Sequence, residues 1–63
     1  MAYILNIELI NGRFIIKRFH TEEYATNLYF LAVAKKLAKR ASVFDEHEHA
    51  FLFEYESDVK KRP

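Results

Sequence analysis

The chain has no cysteine, and only one glycine and one proline in 63 residues. Without cysteine, disulfides, thiolate metal sites and thiol nucleophiles are excluded. A single glycine, already placed in a turn signal, leaves none for a Gly-rich phosphate loop. No stretch approaches the roughly 18 apolar residues of a membrane span. Asn6 and Glu8 interrupt the only apolar run near the N-terminus, which lacks the basic start and long apolar core of a secretory signal. The expectation is a cytoplasmic protein with no membrane partner, consistent with the reducing compartment that absence of cysteine suits.

What is there is dense and apolar. The composition is 51% hydrophobic and 16% aromatic, far from that of a disordered chain. A domain this small buries only about 60% of its unfolded surface, and such domains often add disulfides, metals or self-association. Here only a very dense core or association remains. The net charge of +1 hides a segregation. Residues 1–44 carry seven Lys/Arg and three Asp/Glu, residues 45–58 carry six acids and no Lys/Arg, and Lys60, Lys61 and Arg62 follow. Such polarity informs association rather than fold.

Residues 2–10 alternate as a strand. Asn11-Gly12 is a strong hairpin signal, since both central residues of a type I′ turn need positive φ. Residues 13–20 return as a second strand. A two-residue loop pairs Leu9 with Phe14 and Ile7 with Ile16, which leaves Ile4, Ile10, Ile15 and Phe19 on the opposite face. Thr21 is an N-cap residue, followed by Glu22 and Glu23 where the helix dipole favours acids. With no Gly or Pro to stop it, one helix is expected over Thr21–Ala41. Its core stripe would be Phe30, Leu31, Val33, Ala34, Leu37, Ala38 and Ala41. The opposite arc is apolar at Tyr24, Ala25, Leu28, Tyr29 and Ala32, then basic at Lys35, Lys36, Lys39 and Arg40. Residues 50–56 form a third strand, with Phe51, Phe53 and Tyr55 on one face and Leu52, Glu54 and Glu56 on the other. Val43 and Phe44 either begin this strand early or form a short strand before a turn, residues 45–49 read as either strand or loop, and residues 58–63 as a flexible basic tail.

The expected fold is therefore α+β, in the order β-β-α-β, within one domain over residues 1–57. Its three-stranded antiparallel sheet carries one helix on one face. The other face would expose Ile4, Ile10, Ile15, Phe19 and Leu52. Several small regulators and inhibitors, including phage-encoded ones, share this element order, but topology alone assigns no function.

Catalytic and metal chemistry find little footing. Ser42 and Ser57 sit in no Gly-bounded turn, and a domain of this size offers little room for a water-excluding pocket. Asp45, His47 and His49 would share one face of a strand, but short acidic runs produce such sets by chance, so neither metal nor cofactor is expected. The expectation is a non-enzymatic module that binds or inhibits another protein, in the manner of a phage- or mobile-element-encoded regulator. It would act as a homodimer through Tyr24, Leu28, Tyr29 and Ala32 or through Ile4, Ile15 and Phe19. The alternative is a nucleic-acid-binding regulator that places Lys35, Lys36, Lys39 and Arg40 on phosphates.

Overall fold

A computed structural model describes residues 2–57, so the tail expected over residues 58–63 lies outside the described residues. Two strands open the chain, β1 (Tyr3–Leu9) and β2 (Phe14–Phe19). The helix α1 (Glu22–Ala34) follows, and then β3 (Ala38–Asp45) and β4 (Ala50–Glu56). The sheet is four-stranded, in the order β2-β1-β3-β4, with every neighbouring pair antiparallel. This corrects the expected three-stranded β-β-α-β sheet, although the class remains α+β. The analogy drawn from the shorter element order lapses with it.

The first half of the missing strand, residues 38–41, lies inside the expected helix. Residues 35–40 are mostly strong helix formers, and no Gly or Pro breaks them. Yet the helix stops at Ala34 in a Schellman motif. The Leu37 N–H donates to the Ala32 carbonyl and the Lys36 N–H to the Val33 carbonyl, both at 3.0 Å. Lys36 takes the left-handed conformation, with φ of 57°, that glycine usually fills at this position. The chain then reverses, and Ala38, Ala41, Val43 and Asp45 turn inward. Thr21 has the extended backbone of an N-cap residue, but its side chain makes no capping hydrogen bond.

The hairpin also differs from expectation by one residue. Gly12 N–H donates to the Leu9 carbonyl at 2.9 Å and Leu9 N–H to the Arg13 carbonyl at 2.7 Å. These bonds close a three-residue loop, Ile10-Asn11-Gly12, with Gly12 at φ 94°. Asn11 Oδ1 accepts from Arg13 N–H at 2.9 Å and fastens the loop. Glu8 now pairs with Phe14 and Ile7 with Ile15. A one-residue slip moves every side chain of a strand to the other face. Ile15, Lys17 and Phe19 therefore point to the helix side, and Phe14, Ile16 and Arg18 to the open side.

The core lies between α1 and the sheet. It joins Leu5, Ile7, Ala38, Ala41 and Val43 to Ala25, Tyr29 and Ala32 of the helix. Phe53 and Tyr55 of β4 pack against it. A bulge between Val43 and Phe44 sends Phe51 to the open face beside Phe44, with ring centroids 5.0 Å apart, and leaves Leu52 against the core. The expected single face for Phe51, Phe53 and Tyr55 is thus split. Among the described residues no helix is long and apolar enough to cross a membrane.

Candidate interaction surface

The helix presents the reverse of its expected face to the sheet. Ala25, Tyr29 and Ala32 are buried, while Phe30 and Leu31 are exposed. Tyr29 stacks on Phe53 at 5.2 Å, and Phe30 meets both rings edge-on at 5.1 Å. Tyr29 and Ala32 are core residues, so this corrects their assignment to an interaction surface. The apolar helix is symmetric enough for either arc to serve as core. The sheet selected the arc with small residues, since alanines at 25 and 32 let the helix sit close over Ala38 and Ala41.

Tyr24 and Leu28 remain on the outside, as expected, and Leu31 joins them at helical spacing. At 100° per residue these three form one flank of α1. The other flank carries Phe30, which packs on Phe53 of β4. The Tyr24, Leu28 and Leu31 flank therefore leans toward β2 at the far side of the sheet.

The open sheet face holds three rows running from β2 to β4. They are Arg18-Ile4-Phe44-Phe51, Ile16-Asn6-Ser42-Glu54 and Phe14-Glu8-Arg40-Glu56. Ile4 is there as expected. Ile15 and Phe19 are not, because of the shifted register, and Phe14 and Ile16 take their places. Ile10 lies in the hairpin loop beside Leu37, lining an apolar hollow of about 350 Å³. A wide trough of about 640 Å³ crosses the open face, lined by Phe14, Phe51, Arg40 and the carboxylates of Glu8, Glu54 and Glu56. Arg40 Nε lies 3.5 Å from Glu56, and Arg18 reaches Glu46 at 2.7 Å. Exposed pairs of this kind contribute about 0–1 kcal/mol each.

The expected basic arc is dispersed. Lys35 and Lys36 sit in the turn after α1, while Lys39 and Arg40 lie on β3. Lys39 Nζ is 3.9 Å from Glu8, and Arg40 faces Glu56. No continuous phosphate-facing row of these four residues exists. The 45–49 stretch resolves as the end of β3 followed by a turn. Asp45 is buried, and its carboxylate accepts from the N–H groups of His47 at 2.9 Å and Glu48 at 3.4 Å. Asp45 serves as a turn anchor, and His49 adopts a positive φ of 54°. Among the described residues no group of three or more His, Asp or Glu gathers around a common point.

The two sheet edges are unlike. β4 carries Glu54 and Glu56 and adjoins the bulge opposite β3. Both edges carry two charged residues, and the bulge is what further blunts β4 against pairing. β2 reads Phe-Ile-Ile-Lys-Arg-Phe, pairs with β1 in unbroken register, and is exposed at every residue but Phe19. The Asn11-Gly12 signal located this hairpin but could not set its loop length, which decides which β2 residues face outward.

Comparison with family models, curated proteins and solved structures gives no match.

Proposed function

We propose that this protein is a non-enzymatic interaction module that works as a homodimer and binds another protein. The observation that carries this reading is an inversion of the usual burial pattern. Among the described residues, five of the nine buried apolar residues are alanines, and the largest fully buried side chains are Leu5 and Val43. Ten large apolar residues among those described are exposed, including Phe14, Ile16, Tyr24, Leu28 and Leu31. A core this lean stabilises a small domain poorly, and apolar surface of this extent marks association sites. Burial contributes about 25 cal/mol per Å², so covering a few of these side chains adds several kcal/mol. The flank of α1 and the β2 edge lie on the same side of the molecule, so association through that edge turns the two flanks toward each other. The open-face trough, with its acidic rim, stays available to a protein partner.

Sedimentation equilibrium at micromolar concentration tests the reading. A species of twice the 7.5 kDa chain mass is expected. A strictly monomeric species across that range refutes the homodimer.

A further inference from the structure

We infer that the dimer forms by antiparallel pairing of β2 with β2 of a second copy, on a two-fold axis at Ile16. This deepens the homodimer reading and rests on it. β2 leaves one set of its backbone groups open. Residue pairs in an antiparallel ladder alternate between hydrogen-bonded and non-hydrogen-bonded. Leu9 N–H donates to the Arg13 carbonyl. In the register Ile7–Ile15, Leu5–Lys17 and Tyr3–Phe19, residues 15, 17 and 19 therefore direct their backbone groups to β1. Phe14, Ile16 and Arg18 direct theirs outward. These three form a row of N–H and C=O groups able to accept another strand.

Register places the axis. A two-fold axis normal to the sheet places like-facing residues opposite one another, so the axis must fall on a residue. Centred on Lys17, it sets the two Lys17 side chains face to face. Centred on Ile15, it sets Arg13 against Lys17. Like charges directly opposite are destabilising. Centred on Ile16, it pairs Ile16 with Ile16, Phe14 with Arg18 and Ile15 with Lys17, and no like charges oppose. The same register joins all three outward residues of each copy in hydrogen-bonded pairs, for six backbone bonds. It also lays the Phe14 ring beside a guanidinium, a favourable cation–π arrangement. The two Lys17 side chains fall on a diagonal and can splay into solvent. β4 offers no comparable match, because Glu54 and Glu56 would face acids or the bulge.

The joined sheet would have eight strands, with both helices on one side. Helix α1 packs on β3 and β1 and less on β2. At a strand spacing of about 4.8 Å, each helix axis lies about 10 Å from the two-fold, so the axes stand about 19 Å apart. The Tyr24, Leu28 and Leu31 flanks then face each other across a channel without direct backbone approach.

This geometry sets the test. The chain has no cysteine, so introduced thiols report without background. Opposed residues in a hydrogen-bonded pair have Cα atoms about 5.5 Å apart, within the disulfide range. Ile16→Cys should form a covalent dimer under mild oxidation, and Leu28→Cys should not. Ile16→Lys places two ammonium groups across the axis, at a site already exposed, and should raise the dimer dissociation constant about tenfold or more. Ile16→Pro removes an outward N–H without breaking a bond to β1, and should likewise favour monomer while circular dichroism stays native-like. Dimers that persist in folded Ile16→Lys and cross-link through Leu28→Cys overturn the β2 edge and leave the homodimer reading standing. A monomeric wild type overturns both.

Discussion

Tyr29 and Leu31 lie two residues apart on α1, and the fold gives them opposite roles. Tyr29 is 5% exposed and stacked on Phe53 at 5.2 Å, whereas Leu31 is 49% exposed. Truncating a buried aromatic residue to alanine costs about 3–5 kcal/mol. A folded domain is stable by about 0.05–0.15 kcal/mol per residue, or roughly 3–9 kcal/mol for this chain. Tyr29→Ala should therefore remove most of the stability and leave a substantial unfolded fraction at 25 °C. Leu31 buries about half its side chain, so Leu31→Ala should cost about 1 kcal/mol. Urea unfolding followed by far-UV circular dichroism measures both. The protein concentration must be held equal, since association shifts the midpoint. If Leu31→Ala proves as damaging as Tyr29→Ala, the helix sits on its other arc and the core described here is wrong.

Other substitutions probe the remaining local features. Lys36→Gly should stabilise by about 1 kcal/mol, because glycine takes the left-handed conformation without the strain lysine bears there. Inside a continuous helix the same change would instead cost about 1 kcal/mol, so the sign of the shift in thermal midpoint decides between them. Asp45→Ala should cost about 1–3 kcal/mol by leaving the His47 and Glu48 N–H groups without their acceptor, and Asp45→Asn should recover most of it; equal losses in chemical denaturation would refute the turn-anchor role. Burial, with Tyr55 and Glu54 nearby, raises the Tyr29 pKa above its ordinary value of 10.0. The folded state then holds that proton more tightly than the unfolded state, so this contribution to stability is constant below about pH 10 and falls above it. Tyr29→Phe should flatten the alkaline decline relative to wild type, and parallel stability curves above pH 10 would contradict it.

Backbone alternation made β1 and β4 legible, and β4 has the bounds expected from its pattern, Ala50–Glu56. β3 was legible only at Val43 and Phe44, as a short strand before a turn, because the helix end that precedes it carries no Gly or Pro. Lys36 adopts the left-handed turn against its own preference, and only the packing of Ala38, Ala41 and Val43 on β1 rewards that strain. The helix rotation was hidden for a related reason. Residues 24–34 are apolar around nearly the whole circumference, so periodicity selects no face. Register failed in the hairpin, where a loop of two residues against three exchanged Ile15 and Phe19 for Phe14 and Ile16, and again at the bulge between Val43 and Phe44, which separated Phe51 from Phe53 and Tyr55. Of the expected surface residues, Tyr24, Leu28 and Ile4 occupy outer positions, while Tyr29 and Ala32 are core.

The lean core and the apolar surface have one cause. Small residues on both sides of the helix–sheet contact, Ala25 and Ala32 above and Ala38 and Ala41 below, allow a close approach. Leu5, Ile7 and Val43 fill the sheet side of that contact, and of the large residues of the helix only Tyr29 is buried in it, stacked on Phe53. The larger residues at 24, 28, 30 and 31 are displaced to the flanks. Enlarging the contact would not draw them in, because Ala25 is wholly buried and a larger residue there would overpack by about 1–3 kcal/mol. In the proposed homodimer, association adds the stability that so lean a core lacks. The proposed pairing uses β2, whose register is unbroken, rather than β4, which the bulge interrupts. The apolar flank leans over β2, so the surface that packing leaves exposed and the edge that can pair lie together.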